Sequence, residues 1–478
     1  MSLAALVYTV VALFQKSLAL ILLPFVTHVM EPDVYGLVSL VTVVGTLISI
    51  LLCSPVENAV FRWSARDAPE SGAIVSLCAI YSLFLLPLLG IVVFISLLFR
   101  EGELMGVDYS YWGIVCLAAC LMASGTYFGF PYLRAHDRLA RFALCSGISI
   151  CVNFTLKICL VFLAEMGLQG WILSELGAWA TLYFLVLVLA RPRLARLGKG
   201  AVATLIRYGL PLLPHRLAFW GLTSMTRPIM AATATLHQLG IFSLAANCMA
   251  VGALLAGEIN RAVLVEYGRE RTIAPTAATF KVARIQLVSA LAIPALVGCG
   301  VAIMGPVIFA PEYHGAYAPM AVLLFAQCAF AVYLIPMNYL CQTLGDTRFS
   351  WLSSCSGALI VLALLLAMQN STTALTAAAV TSVGYLVMAF VAFETCRRSE
   401  MRVRWRSLVP ARRVSVLSFV SFASAVVALS VPDPPVRVAF SVVGVLMLGL
   451  LAFLIYLTPS VLFGLPSPAA RVKGEIRS

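Results

Sequence analysis

"FQKSLALILLPFVTHVMEPDVYGLVSL", Phe14 to Leu40, is the stretch that decides the class of this chain. An apolar run reaches Val29, the polar turn Met30-Glu31-Pro32-Asp33 interrupts it, and a second apolar run opens at Tyr35-Gly36. A helix needs about 20 residues to cross about 30 Å of hydrocarbon. The segments 5–29 and 37–60 both have that length. The first is no signal peptide, because no basic segment precedes it and it runs past Lys16 without a small-residue cleavage site. The stretch reads as a transmembrane hairpin.

The same chemistry fills all 478 residues. Apolar residues make up 62% and charged residues 11%, against about 45–50% and 25% in soluble domains. So few charges cannot cover a water-soluble surface of this size. The composition excludes a soluble enzyme, a nucleic-acid-binding domain and a disordered chain. It predicts an all-α polytopic membrane protein.

Fourteen spans can be placed. The first twelve are 5–29, 37–60, 72–99, 111–133, 142–165, 171–190, 209–231, 239–263, 285–310, 318–344, 351–369 and 373–395; two more follow at 414–431 and 438–457. Alternate loops differ sharply in charge. One set, with the tail 458–478, holds 25 of the 32 Lys and Arg, and the other holds only Arg100 and Arg437. Basic residues mark the cytoplasmic side, so both termini are expected in the cytoplasm. The net charge of +12 follows from topology, with membrane lipids rather than nucleic acid as the partner.

The chain also repeats. Tyr35-Gly36-Leu37-Val38-Ser39-Leu40 matches Leu239-Gly240-Ile241-Phe242-Ser243-Leu244, and Glu57-Asn58-Ala59-Val60 matches Glu258 to Val263. Arg141-Phe142 and Cys145-Ser146-Gly147 match Arg348-Phe349 and Cys355-Ser356-Gly357. The shared offset of about 200–210 residues predicts two pseudo-symmetric six-helix lobes, 1–195 and 196–396. The region 397–478 then holds a basic loop, two accessory spans and the tail. An even number of helices per lobe gives both the same orientation.

The opening stretch resembles that of bacterial polysaccharide (O-antigen and exopolysaccharide) flippases. These belong to the superfamily of the multidrug and toxin extrusion transporters and the lipid II flippases. The resemblance rests on Pro24, the turn from Met30 to Asp33, Tyr35-Gly36, and Asn58-Ala59-Val60-Phe61-Arg62. It implies an extrusion-transporter-like fold in a bacterial inner membrane. It also implies movement of an isoprenoid-pyrophosphate-linked oligosaccharide from the inner to the outer leaflet by alternating access. Polymerase and glycosyltransferases of the same pathway are the implied protein partners.

Five cations fall inside the predicted spans: Lys16, Lys157, Arg216, Arg227 and Arg261. A charge at bilayer depth costs at least about 2.5–3.5 kcal/mol and calls for a cavity or a partner. Lys16 and Arg216 lie one helical turn from repeat equivalence, which predicts similar faces. They are read as substrate ligands for the pyrophosphate, to which Arg offers a fork and Lys a point charge. Lys157 is read as facing phosphate or glycan. Arg227 is a weaker ligand candidate, near enough to the outer end of its span to snorkel outward. Arg261 is read as meeting lipid headgroups.

Three carboxylates, Glu57, Glu175 and Glu258, lie inside the spans, and Glu165 and Glu394 fall within the last two positions of theirs. Glu57 and Glu258 are read as ion partners of Arg62 and Arg261, or as part of a gate or ion-coupling site. Glu175 is a sodium or proton candidate. His215, after Pro211-Leu212-Leu213-Pro214, is a weak proton-relay candidate, and the two prolines predict a kink. The surplus of cations over carboxylates favours an anionic cargo.

No Gly-rich phosphate loop feeds a helix, no His or Cys has metal spacing, and no loop is long enough for a catalytic domain. The reading is therefore a transporter without enzymatic activity, cofactor or metal site. The rivals are a cation-coupled multidrug exporter of the same superfamily, a membrane-embedded glycan polymerase or ligase, and a non-transporting scaffold.

Overall fold

Helix α1 (21–29) stops at Met30, and α2 (Pro32–Ser64) starts two residues later. Pro32 sets the first helical φ at a position where no N–H is needed, and Asp33 meets the positive end of the helix. The predicted polar turn is therefore shorter than its sequence suggests. In this computed structural model the described residues are 21–457, apart from 65–70, 193, 197, 199, 271–274, 346–349, 400–402, 404 and 409. Lys16, Arg348, Phe349 and the tail 458–478 lie outside them.

After α2 come α3 (Ser71–Ile80) and α4 (Leu86–Leu98), joined by a π-helical turn at Tyr81–Leu85. A two-residue hairpin of β1 (Glu103–Leu104) and β2 (Val107–Asp108) follows. Its turn residues Met105 and Gly106 both have positive φ, the geometry that matches strand twist. Then come α5 (Tyr109–Ala123), α6 (Phe130–Ala135), α7 (Leu139–Lys157) and α8 (Gly167–Ala190). Further π-helical turns, Ser124–Gly129 and Ile158–Leu163, interrupt this run. The chain continues through α9 (Ala201–Gly209), α10 (Leu213–Ser224), α11 (Thr226–Thr233) and α12 (Leu236–Arg269). Last are α13 (Ala277–Ile308), α14 (Tyr317–Asn338), α15 (Ser350–Ala367), α16 (Ala374–Arg398), α17 (Arg412–Ser430) and α18 (Pro434–Leu457).

Among the described residues, twelve helical stretches are long and apolar enough to cross a membrane. The other two of the fourteen predicted spans have specific explanations. Only residues 21–29 of the first are described. The seventh, 209–231, is broken by a 3-10 turn at Leu210–Leu212 and again between α10 and α11. Pro211 and Pro214 remove backbone donors there, so the predicted kink is a break. Along α18 the side chains of Val442, Leu446, Leu450 and Phe453 are exposed at helical spacing. Hydrocarbon, not water, is the medium for that stripe.

The chain divides into two compact units, Met1–Gly240 and Ile241–Ser478. In the first, α8 packs into a groove made by glycine. A Cβ on Gly125 or Gly129 would come within 2.5 Å of Leu182 or Val186. Small residues at this four-residue spacing allow backbones to approach closely in membranes. In the same unit the two repeated motifs meet. A Cβ on Gly36 would lie 2.8 Å from the Leu236 carbonyl and 3.0 Å from the Gly240 nitrogen. A Cβ on Gly240 would overlap the Pro32 carbonyl.

In the second unit, α17 and α18 pack on each other and on α13. Gly298 faces Ala425, and Gly444 faces the Cys299 sulfur. Arg437 is buried at the start of α18, where it donates to the Val431 carbonyl and covers the Tyr317 ring at 4.2 Å. The basic loop after α16 is tied to this unit by Trp405, whose ring lies 4.7 Å from that of Phe393.

Candidate functional site

Trp171, Glu175 and Trp179 stand at i, i+4 and i+8 on α8, which places them along one face. Lys157, the last residue of α7 before the π-helical turn, reaches that face. Its Nζ lies 2.6 Å from Glu175 Oε1 and 3.8 Å from the Trp171 ring centre. Lys157 is 7% exposed. Asn153 and Trp179 add hydrogen-bonding contacts to the same carboxylate. A buried ammonium needs such compensation, because its desolvation costs several kcal/mol. The pair therefore forms one neutral unit held by an indole face.

This unit borders a cavity of about 140 Å³ inside the first unit. Thr42, Gly45 and Thr46 of α2, Val115, Ala118 and Met122 of α5, and Trp171, Glu175 and Trp179 of α8 are among the residues that line it. The α2, α5 and α8 spans alternate with others, so all three start at the end that bears the β hairpin. Glu175 comes eight residues after the start of α8 and Thr42 ten after the start of α2. At 1.5 Å per residue these depths are about 12–15 Å, near mid-span.

A second polar constellation lies further along α2. Arg216 of α10 donates from Nη2 to Glu57 Oε2 at 2.6 Å, with both side chains less than a third exposed. Its guanidinium lies 5.8 Å from the ring centre of Tyr127, which belongs to the π-helical turn after α5. The Glu57 bond occupies one of five guanidinium N–H groups. His215 precedes Arg216 on α10.

The pairing corrects one expectation. Glu57 does not pair with Arg62, whose guanidinium instead covers the rings of Trp63 and Tyr208 at 5.6 and 5.0 Å. Residues five apart on a helix do not share a face, whereas those three or four apart do. Glu258 and Arg261, three apart, pair at 2.5 Å as expected, with Arg261 well exposed. Arg227 also departs from its expected snorkelling position: it is 7% exposed and enclosed by protein. All three intramembrane carboxylates thus have a Lys or Arg partner. Three of the five cations that pointed to an anionic cargo are therefore paired, and Lys16 is not among the described residues.

Sequence reading missed the two tryptophans, although their four-residue spacing around Glu175 was visible. It also missed an amide cluster in the second unit. Asn260 Oδ1 accepts from Gln286 Nε2 at 2.8 Å and from Asn338 Nδ2 at 2.7 Å, while Tyr267 donates to Gln286 Oε1 at 2.6 Å. These four residues come from α12, α13 and α14.

No curated protein sequence matches the chain at a significant level. Among solved structures, a lipid II flippase, "MurJ, inward closed conformation", aligns with a TM-score of 0.70 at 10% identity. That alignment covers 94% of this chain and 99% of the flippase. An inward-facing multidrug resistance MATE transporter aligns with a TM-score of 0.63 at 14% identity, covering 80% of this chain and 94% of its own. At these identities the likeness establishes a shared fold, a multi-pass transporter fold of all-α class. A family model described as "Polysaccharide biosynthesis protein" matches residues 4–265, more than half of the chain. The chain therefore belongs to the polysaccharide biosynthesis protein family.

Proposed function

We propose that this chain moves isoprenoid-pyrophosphate-linked oligosaccharide repeat units from the inner to the outer leaflet of a bacterial inner membrane by alternating access, for cell-surface polysaccharide synthesis. The observation that carries the reading is the family match over residues 4–265. The fold shared with a lipid II flippase over nearly the whole length supports it. The basic loops face the cytoplasm in this reading, and the β-hairpin end faces outward.

Arg216 is the main candidate ligand for the pyrophosphate. Its bond to Glu57 uses one donor, so the rest of the fork can take a phosphate oxygen without breaking the pair. Lys16 and Arg227 are further cationic candidates. Lys157 serves the glycan end of the cargo through Glu175 and the tryptophans. Glu57, Glu175, Glu258 and His215 are the candidates for coupling to sodium or protons.

The multidrug exporter is the second reading, since a MATE transporter shares the fold. A cationic drug needs carboxylates with unbalanced charge. Glu57, Glu175 and Glu258 each have a cationic partner within the chain, which favours the polysaccharide reading. Deleting the gene and analysing lipid extracts tests it. Lipid-linked repeat units should accumulate in the inner leaflet and surface polysaccharide should fall, with both restored by the wild-type chain. Unchanged polysaccharide together with new drug sensitivity would support the exporter instead.

A further inference from the structure

We propose that the cavity framed by α2, α5 and α8 is a subsite for a single neutral pyranose ring of the cargo glycan; this rests on the flippase reading and specifies where the glycan is held. Size is the first argument. The cavity measures about 140 Å³, and an apolar cavity of about 150 Å³ holds one benzene ring. The core of one six-membered ring is of that size, and because the cavity is open on one side the hydroxyl rim need not be enclosed.

The wall chemistry is the second argument. Trp171 and Trp179 offer indole surfaces, while Thr42, Thr46 and Glu175 offer oxygen atoms. A pyranose has an apolar C–H face and a rim of hydroxyls, and it needs both kinds of wall at once. Each threonine hydroxyl donates to its own helix, Thr42 to the Val38 carbonyl and Thr46 to the Thr42 carbonyl. Their lone pairs therefore remain to accept from sugar hydroxyls.

Charge is the third argument, and it separates sugar from drug. A carboxylate beside two tryptophans would suit an aromatic cation if it were unbalanced. Lys157 removes that option, because its ammonium sits 2.6 Å from Glu175 and 3.8 Å from the Trp171 ring. A second cation would meet like charge at the carboxylate and at the ring face. A neutral hydroxylated ring meets no such penalty.

Gly45 supplies a direct test. A Cβ there meets nothing closer than Val115 Cγ1, at 3.5 Å, so Gly45→Leu fills the cavity without moving backbone. Leu also favours the helix over Gly. The full chain in phosphatidylethanolamine/phosphatidylglycerol nanodiscs is probed by saturation-transfer NMR with methyl glycosides of glucose, galactose, mannose and N-acetylglucosamine. At least one should receive ring-proton saturation from the wild type. That signal should fall at least fivefold in Gly45→Leu and in Trp171→Phe, and tetraphenylphosphonium should not compete. In proteoliposomes Gly45→Leu should slow flipping of a lipid-linked glycan at least tenfold, and Thr46→Val should reproduce the direction of the change. No saturation across the panel, or competition by tetraphenylphosphonium, overturns the subsite. Wild-type flipping by Gly45→Leu overturns it too, and leaves the flippase reading standing. A wild-type chain that binds glycosides through Gly45 and Trp171 but flips no glycan lipid supports the subsite and overturns the flippase reading.

Discussion

Glu57 and Arg216 lie 159 positions apart and are joined at 2.6 Å, tying α2 to the proline-broken segment that carries α10. The α10 helix begins two residues after Pro211. The ion pair thus fixes a segment whose backbone is interrupted. Neither side chain is fully buried, so the pair ranks between exposed pairs, at about 0–1 kcal/mol, and buried ones, at about 3–5 kcal/mol when broken.

That position in the range sets the first prediction. Glu57→Gln and Arg216→Met should each destabilise the chain by about 1–3 kcal/mol, and the double variant by less than their sum. Equilibrium unfolding in mixed detergent checks the cycle. Glycan export distinguishes the two residues further. Glu57→Gln should retain more export than Arg216→Met, because only the second removes the proposed phosphate ligand. Equal loss of export in both would reduce Arg216 to a structural partner.

Lys157 and Glu175 should behave more severely. Lys157 is almost wholly enclosed, so Lys157→Met leaves a carboxylate with no cation near mid-span. The expected loss is about 3–5 kcal/mol. Glu175→Gln strands the ammonium, whose indole contact recovers only about 0.5–2 kcal/mol. Lys157→Met combined with Glu175→Gln should recover most of the stability, because the site is then neutral. A double variant as unstable as the sum of the singles would show that the two charges act independently.

These pairings mark where sequence reading stops. Span positions were legible because hydrocarbon demands long apolar helices, and the first hairpin was legible from Pro32 and Asp33. Glu258–Arg261 was legible because helix geometry joins residues three apart. Glu57–Arg216 was not, since only the tertiary fold sets which faces of α2 and α10 meet. Lys157 and Glu175 were each visible as costly intramembrane charges, yet nothing in one sequence links the last residue of α7 to the third turn of α8. The break at Leu210–Leu212 was signalled by its prolines.

The glycine at the repeated motif offers a contrast within one helix. Gly240 and Gly257 both belong to α12, but a Cβ on Gly240 would overlap the Pro32 carbonyl, whereas one on Gly257 meets nothing within 4 Å. Gly240→Val must push α2 and α12 apart, and backbone cannot yield as a side chain can. The expected loss is about 1–3 kcal/mol or more. Gly257→Ala should be neutral or stabilising by about 0.4–1 kcal/mol. Thermal melts of the two variants in the same detergent check the difference. Equal melting temperatures would show that the α2–α12 approach is looser than this geometry.

Asn260 is the hub of the second unit's amide cluster, because one oxygen accepts from both Gln286 and Asn338. Asn260→Leu therefore strands two donors at once. Each orphaned donor costs about 1–3 kcal/mol, giving an expected loss of about 2–6 kcal/mol. Thr395 provides the control, since its hydroxyl only bonds the Val391 carbonyl of its own helix. Thr395→Val removes donor and local bond together and should cost less than about 1.5 kcal/mol. If the cluster holds α12, α13 and α14 together, Asn260→Leu should also speed hydrogen exchange along all three helices. Faster exchange confined to α12 would limit the role of Asn260 to its own helix.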